Sequence, residues 1–155
     1  MKGVLVITNS LLRCSEIWPN AKLIRSRLDQ GVIFVPCEPC SVKVVEETWE
    51  ILKKAVNGWL ERLPVSIRSK DCFYDVWLNE EGRLQNLPFS FGQTRRSVEA
   101  GLPTVGDIAI TLQSGDDAVP FDFDEVESIL KEFVWCTLEG NILISGDWPN
   151  ESRKD

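Results

Sequence analysis

Thr48-Trp49-Glu50-Ile51-Leu52-Lys53-Lys54-Ala55-Val56-Asn57-Gly58 is the stretch on which the fold turns. Val45, Trp49, Leu52, Val56 and Trp59 recur at spacings of four and three. That spacing draws one apolar stripe along a helix of about 3.6 residues per turn. Glutamates stand at its start and lysines near its end, the charge order that suits the helix dipole. Asn57-Gly58 marks the stop, because glycine takes the left-handed conformation cheaply.

Strands are expected on both sides of this helix. Upstream, Gln30-Gly31 launches Val32-Ile33-Phe34-Val35, closed by Pro36, an apolar run suited to a strand buried on both faces. Downstream, Trp59 to Val65 reads as a strand near an edge, since Pro64 cannot donate to a ladder. Cys72 to Leu78 is another strand, running into Asn79-Glu80-Glu81-Gly82, where Gly82 is expected to supply the positive φ of a tight turn.

Further out, residues 3–8 form a β-rich run that stops at Asn9-Ser10. Trp18-Pro19-Asn20 breaks the segment Leu11–Leu28, which reads as a loop followed by a short helix over Ala21–Leu28. Leu84–Phe91 returns extended, interrupted by Pro88, and residues 92–101 read as a polar, basic loop or a single helical turn. Asp107–Leu112 alternates as a strand, and Ser114–Asp117 is a turn. Asp122 with Glu125, or Asp124 with Glu127, makes a capping-box pair opening a second helix. Val126, Ile129, Leu130, Phe133 and Val134 form its stripe, and Thr137–Ser145 reads as a last strand ended by Gly146. The expected architecture is α+β: a single domain over residues 1–149, a mixed sheet of about six strands packed by two main helices, and a frayed polar tail at 150–155. Trp-Pro-Asn occurs at 18–20 and at 148–150, without flanking similarity that would make it a repeat.

A chain of 155 residues with 43% hydrophobic and 26% charged residues can bury a core without disulfides. Six tryptophans and seven phenylalanines make that core aromatic-rich. Lys and Arg total 17 against 24 acidic residues, a net charge of -7 that repels nucleic-acid phosphates and anionic membranes. The one dense basic pair, Arg95–Arg96, with Lys22, Arg25 and Arg27 earlier, is too small a set to argue direct nucleic-acid binding. A basic protein partner is electrostatically easier. The N-terminal apolar run Val4–Ile7 is far shorter than a signal-peptide core or a spanning helix. Five scattered cysteines point to a reducing compartment, so the expected location is the cytoplasm.

The chain contains no histidine, which excludes Ser–His and Cys–His nucleophile pairs. It also carries no phosphate-binding glycine loop and no G-x-S-x-G elbow. No catalytic residues and no cofactor are assigned. Cys37-Glu38-Pro39-Cys40 is the most specific chemical signal, a dithiol between a buried strand and a helix that suggests thiol redox work. Pro36 ahead of it and Glu38 within it are poor surroundings for a thiolate. A structural zinc site needs four ligands and this motif supplies two, so no metal site is assigned. The acidic residues of 116–127 lack the spacing of a calcium loop and read as a solvated face and helix caps.

Trp49–Glu61, followed by a strand into Leu78-Asn79-Glu80-Glu81-Gly82-Arg83-Leu84 and Leu87-Pro88, resembles an uncharacterised domain family of short proteins from phages, plasmids and bacterial genomes. In that family a helix ends in a Gly-Gly-aromatic turn, and a strand runs into an Asn-Glu-Glu-Gly-basic-Leu turn and a Leu-Pro pair. The likeness covers residues 42–91, and the turn Asn79–Leu84 is its most specific part. Asn57 stands where the family has Gly, and Ser90 near where it has Asn. The resemblance implies a compact accessory protein of a mobile element and carries no catalytic residues over.

Together these readings favour a non-enzymatic interaction protein that binds and modulates a host protein. Trp18, Trp77 and Trp148, with Asn79, Glu80 and Glu81 of the acidic turn, are its candidate contact residues. A thiol redox protein using Cys37 and Cys40 is the first alternative, and a small-molecule or nucleotide binder with an aromatic pocket is the second.

Overall fold

The structure, a computed structural model, describes residues 1–37, 43–64, 66–143 and 146–149. Strand β1 (Lys2–Thr8) lies in the middle of the main sheet. On one side it pairs with β3 (Gln30–Pro36), which pairs with β2 (Lys22–Arg27) at the sheet edge. On the other side come β8 (Ile108–Ser114), β6 (Cys72–Asn79) and β4 (Leu60–Arg62). Short strands extend this frame: β5 (Ile67–Ser69) along β6, β9 (Asp117–Val119) along β8, and β10 (Phe121–Asp122) along the start of β1. A separate ribbon joins β7 (Gly92–Thr94) to β11 (Phe133–Trp135). The single α+β domain is therefore built on an antiparallel sheet; each named pairing is antiparallel, where a mixed sheet was expected.

Alternation along the central strands supplies two apolar faces. Val4, Val6, Ile33, Val35, Trp77 and Ala109 lie under α1 (Leu11–Ile17) and α2 (Val44–Val56). Ala109 and Ala118 are small, which lets Leu52 and Ala55 of α2 settle close to the sheet. Leu5, Ile7, Val32, Phe34, Tyr74, Val76, Ile108 and Ile110 face the other way, against the β7–β11 ribbon and α4 (Val126–Leu130). Burying one such side chain contributes roughly 1.5–3 kcal/mol. A strand covered on both faces must be apolar throughout, which is why β1 and β3 read as continuous hydrophobic runs.

Several local expectations are corrected. The helix of the 11–28 segment precedes Trp18-Pro19-Asn20 instead of following it. Ser10 caps α1 by accepting from Arg13 N–H, and Trp18 N–H closes the last turn onto Cys14. Ala21–Leu28, expected to be helical, holds β2, folded back on β3 through Leu28 at φ 53°. At the end of α2 it is Asn57, at φ 56°, that takes the left-handed conformation, not Gly58. Gly82 is absent from the positive-φ residues; its role is close approach, since a Cβ there would lie 2.9 Å from Val105 Cγ2. Asp122 and Glu125 do form the capping box, but the helix ends at Leu130, so Phe133 and Val134 belong to β11. Leu84–Phe91 contributes only a bridge from Phe89 to Val105 instead of a strand. Of the expected strand over Thr137–Ser145, a single bridge from Cys136 to Ile142 is present among the described residues. Residues 92–101 split between β7 and α3 (Arg95–Glu99). Cys40 and the tail at 150–155 lie outside the described residues.

Candidate functional site

The acidic turn, the end of α2 and the start of β4 meet at one corner of the molecule. Asn57 accepts the left-handed cap of α2, its N–H bonded to Lys53 O at 2.9 Å. This reversal turns the chain out of the helical stripe before Trp59. Asn79, buried at the end of β6, ties the corner together. Its Nδ2 donates to the carbonyls of Val56 and Asn57 at 3.2 and 3.4 Å, and its Oδ1 accepts the N–H of Glu81 at 2.8 Å. Glycine at 58 leaves room for the Asn79 amide, since a Cβ would lie 2.5 Å from Asn79 Nδ2 and force that side chain to shift. The N–H of Glu80 donates to Trp59 O at 2.8 Å, which fixes the backbone of the tryptophan to the acidic turn.

Trp59 itself is 72% exposed. It stands beside a groove of about 670 Å³ whose other walls are Trp49, Lys53, Gly58 and Leu60. Trp49 is half-buried and packs edge-on against Trp77, with ring centroids 5.1 Å apart at 76°. Trp77 is buried and donates its indole N–H to Thr111 Oγ1 at 2.9 Å. A fixed ring thus braces the half-exposed one. Glu61, Glu80 and Glu81 are exposed around the corner. The neighbouring cations are engaged locally, Lys53 with Glu50 at 3.7 Å and Arg62 with the buried Asp75 at 3.6 Å.

The structure brings Asn79, Glu80 and Glu81 together with Trp59, a residue that periodicity had assigned to the buried stripe of α2. Trp77 lies in the core behind the groove and cannot be a surface anchor without opening the sheet. Trp18, half-buried, separates two shallow hollows of about 390 and 380 Å³ beside α1. Trp148 packs on the far face against Phe91 and Trp135, with centroids at 5.7 and 4.8 Å. The three tryptophans therefore form no common surface. The signal for Trp59 was its position just beyond the Asn57-Gly58 stop, which takes it off the helix.

Cys37 is buried against the α2 side of the sheet. Burial pushes its thiol up to about 11, with Glu47 adding to the rise and the Thr48 hydroxyl opposing it. A redox nucleophile needs the opposite shift. No group of three His, Cys, Asp or Glu placed to hold a metal occurs among the described residues. A second polar cluster, around Asp107, is internally satisfied. Its carboxylate accepts from the Thr8 hydroxyl at 2.6 Å, the Asn9 N–H at 2.9 Å and Arg13 at 2.7 Å. Glu125 both completes its capping box and accepts from the Tyr74 hydroxyl at 2.5 Å, so this acidic residue has a structural task. Among the described residues no helix is long and apolar enough to cross a membrane.

By fold, the chain is a three-layer α+β domain with an aromatic groove at one corner. No family model, curated protein or solved structure matches it.

Proposed function

We propose that this chain is a protein-binding module whose contact surface is centred on Trp59. The observation that carries this reading is an indole 72% exposed on a rigidly held turn, next to an open groove walled by a second tryptophan. Leaving so large an apolar ring in water forgoes roughly 3 kcal/mol that burial would return. Tryptophans of this kind, fixed before the partner arrives, dominate binding energy at interfaces. The acidic rim of Glu61, Glu80 and Glu81 and the net charge of -7 suit a basic partner surface. The role extends to a mobile-element accessory factor that modulates the host protein it binds, as the resemblance over residues 42–91 implies.

A photo-crosslinking amino acid placed at position 53, on the groove wall beside Trp59, is expected to trap one stoichiometric partner from host lysate. The same group at the exposed Leu102 is expected to trap none. Trp59→Ala should abolish capture by a tagged chain while leaving the thermal midpoint unchanged. Identical products from both crosslinking positions, or capture indifferent to Trp59→Ala, would reject the reading.

A further inference from the structure

We infer that the partner contributes an extended segment that adds as a strand to the free edge of β4, with a lysine or arginine of that segment facing Glu61. This rests on the reading of Trp59 as the contact centre. β4 is the terminal strand of the sheet order and pairs only with β6 among the described residues. Two hydrogen bonds fix its phase: Glu80 N–H to Trp59 O at 2.8 Å and Leu63 N–H to Val76 O at 2.9 Å. Trp59, Glu61 and Leu63 therefore turn their main-chain groups toward β6. Leu60 and Arg62, the alternate residues, turn theirs away from it. No backbone hydrogen bond reaches Leu60 or Arg62 from that outer side among the described residues. A row of outward donors and acceptors is the template that strand addition uses.

The groove lies where such a strand would need it. Leu60 is one of its walls, so side chains of the added strand that point to the α2 face enter the space between Trp49 and Trp59. The intervening side chains fall on the opposite face, the one that Glu61 shares with its partner Leu78. The opposite sheet edge offers a poorer template, because β2 carries an irregularity between Leu23 and Arg25 that interrupts its register.

Charge decides between a foreign segment and a second copy of this chain. A strand hydrogen-bonded to Leu60 and Arg62 places one residue directly across from Glu61 in a non-bonded pair, the closest cross-strand position at about 4.5 Å between Cα atoms. Self-pairing about a two-fold axis would set Glu61 against Glu61, an unfavourable like-charge pair. A cation there is favoured instead, and Glu80 and Glu81 add to its attraction. The segment that fits has apolar side chains alternating with at least one basic residue.

The probe is a short acetylated peptide of alternating valine and lysine, titrated into the isotope-labelled full chain. Expected are shifts confined to Trp49 and Trp59–Leu63, with slowed amide exchange at Leu60 and Arg62. Glu61→Lys should weaken binding about tenfold or more, and a valine–glutamate peptide should recover it on that variant. N-methylation of alternate peptide residues should abolish binding. Binding at Trp59 that survives both N-methylation and Glu61→Lys overturns strand addition and leaves the Trp59 contact reading standing. The absence of any shift at β4, with crosslinking from position 53 retained, also overturns strand addition alone. Absence of crosslinking from position 53 with Trp59 intact overturns the reading beneath it.

Discussion

The guanidinium of Arg13 lies 2.7 Å from the Asp107 carboxylate and donates at the same time to the carbonyls of Lys54 and Ala55. One side chain of α1 therefore closes the C-terminal end of α2 and holds it to the residue that leads into β8. The cation faces carbonyls that carry the negative end of the helix dipole, which favours it further. Asp107→Ala leaves that cation without its carboxylate, strips the Asn9 N–H of its acceptor and leaves the Thr8 hydroxyl only the Ser10 carbonyl at 3.1 Å. The expected loss is about 2–4 kcal/mol, seen as a lower urea midpoint with an unchanged slope. An unchanged midpoint would show that α2 does not depend on this brace.

Gly58 and Asn79 are coupled through space. Gly58→Ala pushes a methyl group against the Asn79 amide and should cost about 1–3 kcal/mol. Asn79→Ala removes the donor to the end of α2 and the acceptor for Glu81, for about 2 kcal/mol. In the double variant the methyl has room, so the two losses should not add. Full additivity in a denaturation cycle would mean that the two side chains do not meet.

Asn57 stores its strain in the backbone. At φ 56° and ψ 47° a residue without an amide side chain is disfavoured, whereas glycine is at ease. Asn57→Gly is expected to be neutral or slightly stabilising, and Asn57→Ala to cost about 1 kcal/mol. Thermal unfolding of the pair checks the order, and the reverse order would contradict the left-handed cap.

Cys37 should make stability fall on the alkaline side. Its folded pKa of about 11 lies above the ordinary 9.0, so the folded protein keeps a proton that the unfolded chain has lost. Stability is then full below pH 9.0 and declines as pH rises toward 11, by about 1.4 kcal/mol per unit from this one group. Cys14, Cys136 and Tyr74 are shifted upward too, chiefly by burial, and act in the same direction. Urea melts between pH 8 and 10.5 should show a shallower decline for Cys37→Ala than for the parent. Parallel declines would place the Cys37 thiol in water.

The centre of the fold was legible because burial on both faces leaves little freedom of composition. Val4–Ile7 and Val32–Val35 are apolar at every position and occur as β1 and β3, and the alternating run Asp107–Leu112 occurs in β8 from Ile108 onward. The edges were harder. Lys22–Arg27 has no strong strand pattern and is extended because β3 pairs with it across the turn at Leu28, a tertiary cause. Phe133 and Val134 keep a helical spacing from Val126, Ile129 and Leu130, yet the chain leaves the helix at Lys131 and pairs with β7. The candidate site was half legible. The turn Asn79–Glu81 stood out by its residues, but Trp59 was hidden by a spacing that continued the stripe of α2. Only the left-handed Asn57 takes it off that stripe, and φ is not written in side-chain periodicity.

The place of β1 in the middle of the sheet bears on how the chain is made. Lys2–Thr8 is synthesised before its sheet partners: β3 can join it after about thirty further residues, but β8 and β10 follow only at Ile108–Ser114 and Phe121–Asp122. At roughly 5–20 residues per second, a nascent chain spends several seconds with the apolar run Val4–Ile7 open along one edge. Until β8 emerges, β1 is paired on the β3 side alone. The sheet closes around β1 only once β8 and β10 have emerged, and shelter by a chaperone over that interval matters more here than it would if β1 lay at an edge.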